Sequence, residues 1–229
     1  MFIAIIVVFA LVGWIVQSRL KNRFEKYSQT MLSSGMSGAE VARAMLEDYG
    51  IHDVTIESVA GKLTDHYNPA NKTVNLSPDV YNGRNVAAAA VAAHECGHAV
   101  QHATAYRWLT LRTSMVPLAA ASGRIMNILF LFMIFGGFAL HWFPIDTVFL
   151  VVIAAQAALT AFSVVTLPVE YDASDRALKW LQKANITSGV EQEQATDALQ
   201  WAARTYLVAA MASITTLLYY VMMFMGSRD

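Results

Sequence analysis

Four apolar stretches, residues 2–16, 125–140, 148–167 and 206–225, constrain this chain more than any other feature. A helix needs about 20 mostly apolar residues to cross the hydrocarbon core of a bilayer. The first stretch is slightly short, yet it has neither the basic leader nor the small-residue cleavage site of a signal peptide. Four transmembrane helices are therefore expected, the first an uncleaved anchor over residues 1–17. Composition agrees, since 56% of the 229 residues are hydrophobic and only 14% are charged, too apolar for an ordinary soluble domain. A net charge of −1 provides no dense basic footprint, so nucleic acid is not an expected partner. Cys96 stands alone; no intrachain disulfide can form, and a small buried residue is expected there.

The basic residues predict an orientation, because Lys and Arg concentrate on the cytoplasmic side of a membrane. Arg19, Lys21, Arg23 and Lys26 follow the first stretch, Arg107, Arg112 and Arg124 precede the second, and Arg176, Lys179 and Lys183 follow the third. The connection over residues 141–146 has no Lys or Arg and carries interfacial aromatics, so it should face outward together with the N-terminus. The water-facing part then comprises residues 18–113, with a second cytoplasmic segment at 168–205 inside the membrane region 114–229. Ser37-Gly38-Ala39-Glu40 has the form of a capping box, followed by Val41, Met45 and Leu46 at helical spacing and by Gly50 as a stop. Residues 54–58 and 73–76 alternate like strands, and Asn82-Gly83 is a turn signal. The expected fold class is a mainly α membrane protein, four transmembrane helices plus a small cytoplasmic α+β catalytic subdomain. Residues 73–76 are open to two readings, a sheet edge that takes up a substrate backbone or a core strand.

The chemistry is expected on a helix from residue 85 to about 104. His94-Glu95-Cys96-Gly97-His98 fits H-E-x-x-H, in which two imidazoles four residues apart share one helical face and can hold a tetrahedral Zn²⁺. Zinc lowers the pKa of its bound water to about 7, so Glu95 can act as general base toward a peptide carbonyl. A third histidine six residues after His98 would mark a metzincin, but Thr104 stands there. His102, one turn beyond the pair, suits an outer or structural role better than direct ligation. The best placed third ligand is a carboxylate from a second helix, Glu170, which opens the run Glu170-Tyr171-Asp172-Ala173-Ser174-Asp175-Arg176. An oxyanion formed during attack needs a donor besides the metal, and His66, Tyr67, Tyr171 and Arg176 qualify by residue type.

His94-Glu95-Cys96-Gly97-His98-Ala99-Val100-Gln101, preceded by Leu63-Thr64-Asp65-His66-Tyr67-Asn68-Pro69 and Val74-Asn75-Leu76-Ser77 and followed by Pro168-Val169-Glu170-Tyr171-Asp172-Ala173-Ser174, resembles the YugP-type membrane zinc metallopeptidases of bacteria over nearly the whole chain. The layout is also similar to the HtpX and CAAX prenyl protease group of gluzincins. The resemblance implies one zinc ion held by His94, His98 and Glu170 in a zincin-like subdomain, Glu95 as catalyst, a protein or peptide substrate, and a multi-pass place in the bacterial inner membrane with the site on the cytoplasmic side. That wider group usually has an aspartate four residues after the ligand glutamate. This chain has Ser174, which shifts the expected partner of a ligand histidine to Asp172 or Asp175. A metal-bound, non-proteolytic scaffold is the alternative reading, disfavoured because a scaffold has no use for Glu95. Four short spans bury little among themselves, which leaves room for self-association or a partner protein in the bilayer.

Overall fold

The structure, a computed structural model, describes residues 2–135 and 144–226. His141, Trp142 and Phe143 of the expected outward connection, and residues 136–140 of the second apolar stretch, lie outside the described residues. The elements run α1 (Phe2–Tyr27), α2 (Gly38–Asp48), β1 (Thr55–Ser58), β2 (His66–Asn68), β3 (Thr73–Leu76), α3 (Pro78–Asn82), α4 (Val86–Ala103), α5 (Arg107–Phe135), α6 (Ile145–Lys183) and α7 (Val190–Gly226). The chain divides into two compact units, one of Met1–Gly13, Leu111–Leu167 and Tyr206–Asp229, the other of Trp14–Thr110 and Pro168–Thr205.

Helices α1, α5, α6 and α7 are each long and apolar enough to cross a membrane. All four helices extend beyond the apolar stretches that announce them. On α5, Leu111, Val116 and Leu118 are exposed apolar side chains, so the candidate membrane helix reaches back through residues 107–124. In the first unit Ile3, Ile6, Leu11, Phe130, Leu150 and Leu218 stand more than half exposed, surface that water would not tolerate in this quantity and that hydrocarbon accommodates. Apart from Arg112 and Arg124, every Lys and Arg among the described residues belongs to the second unit. Within the first unit, Gln156 and Thr160 of α6 both reach Ser213 of α7, at 2.9–3.2 Å, polar links of the kind that join helices where no water competes.

The second unit holds the chemistry. Ser37 caps α2 as expected, with its backbone N–H donating to Glu40 Oε2 at 2.7 Å and its hydroxyl accepting from Glu40 N. Gly50 ends the helix at φ +67; its N–H returns to the Glu47 carbonyl and that of Ile51 to Leu46, the paired closure that a left-handed residue makes possible. The sheet is three-stranded, in the order β1-β3-β2, with β1 parallel and β2 antiparallel to β3. Residues 73–76 therefore form the central strand, and the edge reading is overturned. Val74 and Leu76 enter the hydrophobic core, whereas Thr73 and Asn75 are buried with their polar groups bonded to each other. The two edges belong to β1 and β2; the three residues of β2 carry no alternation long enough to read from sequence.

Helix α4 occupies the middle of this unit. Asn85 caps it by accepting from Ala88 N at 2.9 Å, and the alanine run makes it buried nearly all round from Val86 to Gln101. Small side chains let α2, β3 and the later helices approach closely. Met45, Leu76, Val100, Trp180, Leu181 and Leu199 fill the space between them. Cys96 is fully buried with its Sγ directed to the Ala42 carbonyl, and burial pushes its thiol pKa up, so it is inert packing rather than a nucleophile.

Candidate metal centre

The two helices that carry the expected ligands meet at Gly97. A Cβ added there would lie 2.5 Å from the backbone oxygen of Ala173 and 3.1 Å from its Cα, so α4 and α6 touch backbone to side-chain-free backbone one turn after Glu170. Gly97→Ala is expected to separate the helices and to cost about 1–3 kcal/mol of stability, and zinc affinity should fall with it. Thermal unfolding together with zinc titration checks both, and an unchanged affinity would contradict the stated role of the close approach.

Around that crossing His94, His98 and Glu170 offer three ligand atoms within 4.8 Å of one another. Glu170 Oε2 lies 3.4 Å from His94 Nε2 and 3.6 Å from His98 Nε2, and the two rings stand edge to face with centroids 4.8 Å apart. Two ligands each about 2.1 Å from a tetrahedral zinc are separated by about 3.4 Å, which the carboxylate-to-imidazole distances match. Two nitrogens and one carboxylate oxygen also suit zinc chemically. All three side chains are largely shielded, Glu170 at 2% exposure. A charge so buried calls for a cationic or metal partner.

Burial alone would depress the pKa of His98, since it penalises the imidazolium. The Glu170 carboxylate beside it outweighs that cost, with Glu95 and Gln101 adding to it, and the pKa stands above its ordinary value of 6.5. In metal-free protein the stability that His98 contributes is thus fully present below about pH 6.5 and is lost as pH rises through the raised pKa. Zinc competes with that same proton, so its affinity should rise over the same window. Melting curves of chelator-treated protein against pH are expected to fall there; a melting temperature that climbs instead would contradict the assignment.

Glu95 projects from the same helix, 7% exposed, and its Oε2 accepts the backbone N–H of Tyr67 at 2.9 Å. Strand β2 is thereby tied to the carboxylate between the two histidines, a feature no spacing in the sequence announces. The remaining candidates separate clearly. Ser174, standing where an aspartate was expected, itself lies 3.1 Å from His94 Nδ1 through its hydroxyl. Asp172 faces Gln101, which in turn meets His98 Nδ1 at 3.1 Å. Asp175 is exposed and paired with Lys179, so it does not take the place proposed for it. Arg176 binds Asp172 at 2.6 Å and lies over the Tyr106 ring. His66 has both ring nitrogens engaged, by the Thr64 carbonyl at 2.7 Å and Asn75 at 3.3 Å. Tyr171 is exposed. His102 pairs with the Tyr67 hydroxyl at 2.7 Å instead of joining the triad. Gln101, which no ligand pattern singles out, is the residue missed.

A two-helix crossing with this donor set, together with four helices among the described residues long and apolar enough to cross a membrane, is the arrangement a membrane metalloprotein would need. The match to known families agrees with it: the family described as "Putative neutral zinc metallopeptidase" matches residues 2–225, and the chain belongs to that family. A protein of Bacillus subtilis (strain 168) named "Putative membrane protease YugP" is 40% identical over 213 residues, covering 93% of this chain and 92% of the relative. No solved structure matches the chain.

Proposed function

We propose that this chain is a zinc-dependent endopeptidase of the bacterial cell membrane, with one zinc ion held by His94, His98 and Glu170, Glu95 as general base, and the site on the cytoplasmic side. The observation that carries the reading is the convergence of Glu170 Oε2 on the Nε2 atoms of both histidines with Glu95 on the same helix. When bound there, zinc would supply Lewis acidity and lower the pKa of a coordinated water toward 7. Glu95 accepts the proton of the attacking water and passes it to the nitrogen of the departing amine. Its bond to Tyr67 N keeps the carboxylate oriented until substrate arrives. The exposed edge of β2 suits an extended peptide backbone. Tyr67 and His102 also line a cavity of about 380 Å³ together with Ile51, Lys72 and Ala99, which offers room for a substrate side chain. The cytoplasmic placement is supported by the clusters at residues 19–26, 107–124 and 176–183.

Metal analysis and casein cleavage on the purified full-length protein in detergent test this together. About one zinc per chain is expected, with cleavage stopped by a chelator and restored by zinc. Zinc-free protein that resists reloading, or cleavage indifferent to the chelator, would overturn the proposal.

A further inference from the structure

Gln101 has no part in hydrolysis as derived above, yet it is fully buried and every polar atom of its side chain is engaged. Its Nε2 donates to the Val169 carbonyl at 2.8 Å and to Asp172 Oδ2 at 2.8 Å. Asp172 is further bound by Arg176 Nε at 2.6 Å. A carbonyl and a carboxylate only accept, so the NH₂ end of the amide has to face them; the reverse orientation would set three acceptors against one another. The amide oxygen is then left facing His98 Nδ1 at 3.1 Å, and an oxygen without a hydrogen can only accept there. His94 lacks this constraint, because the Ser174 hydroxyl beside its Nδ1 can donate or accept.

We infer that Gln101 is a positioning residue that holds His98 with its proton on Nδ1 and the lone pair of Nε2 directed at the metal site. Val169 and Asp172, the two acceptors that orient the amide, bracket Glu170 along α6. One side chain therefore sets the tautomer of a ligand on α4 and ties it to the backbone that delivers the ligand from α6. A hydrogen-bonded outer partner of this kind fixes ring orientation and raises ligand basicity, and its loss typically weakens metal binding 10–100-fold. This inference rests on the zinc-site reading above.

The test compares zinc affinity of the full-length protein in detergent, by competition with a chromophoric chelator, for the native chain and Gln101→Met. Methionine fills a similar volume with only a weakly accepting sulfur in place of the amide oxygen, so about a 10–100-fold weaker Kd is expected with helical circular dichroism retained. If Gln101 only fills space, Gln101→Met binds zinc as tightly as the native chain, which overturns the inference. Should Gln101→Met fail to fold, native protein with isotope-labelled histidine and NMR-active cadmium gives the answer directly. Coupling of the metal to His98 Nε2 with the proton on Nδ1 is expected, and coupling at Nδ1 overturns the inference. Native protein that takes up neither metal would instead bring down the zinc reading, and this inference with it.

Discussion

Glu95→Gln is expected to leave a folded protein that binds zinc with nearly native affinity and cleaves casein about 10²–10⁴-fold more slowly, the range by which a positioned general base contributes. The substitution keeps size and hydrogen-bonding capacity. The glutamine oxygen can still accept from Tyr67 N, as the native carboxylate does at 2.9 Å, so β2 should hold its place. What disappears is the basic oxygen that takes a proton from water. Casein turnover with zinc content measured on the same sample separates the two effects. Equal cleavage by both proteins would remove Glu95 from the mechanism, and loss of zinc would mean that this carboxylate is a ligand after all.

Glu170→Ala should have the opposite signature. With the carboxylate gone, two imidazoles remain, and zinc affinity is expected to fall by more than the roughly 100-fold that loss of an outer partner costs, with activity lost in proportion. The protonation of His98 should change direction too. Its raised pKa depends on Glu170, while burial acts the other way, so in the metal-free variant His98 should titrate below its native value. Histidine NMR titration follows this, and Glu170→Gln, which fills the same space, serves as the control for folding. A Glu170→Ala protein that keeps one tightly held zinc would show that another group completes the site.

Much of this molecule was legible because its signals are local. The four long apolar stretches need no tertiary context, since their length against the bilayer decides them. Helix α2 was readable from its cap and stop, because Ser37, Glu40 and Gly50 act on backbone groups within a few residues of themselves. The helix over residues 86–103 followed from its alanines, and His94 and His98 share a face by helical period alone. The three-residue strand β2 was not legible. Its edge exists only because β3 lies beside it, and the same pairing decides residues 73–76, open to an edge or a core reading, as the central strand. The reading that an imidazole is partnered by Asp172 or Asp175 left the choice open; Asp172 stands behind His98 through Gln101, and Ser174 meets His94. On a helix those residues point in different directions, and which of them meets an imidazole depends on how α6 rotates against α4.

Period and hydropathy act within a single element, so the amino-acid sequence suffices for helices long and apolar enough to cross a membrane and for two imidazoles one helical turn apart with Glu95 between them. That Glu170 closes on that pair, that Ser174 and Gln101 stand behind the two rings, and that Tyr67 reaches Glu95 follows from how the elements pack. Gln101 stands one turn from His98 on the same helix and is oriented by its bonds to α6; the contacts of Glu170 and Ser174 with the two rings join residues far apart in the chain. They are set by how closely α4 and α6 approach at Gly97, where the absence of one methyl group lets two backbones touch.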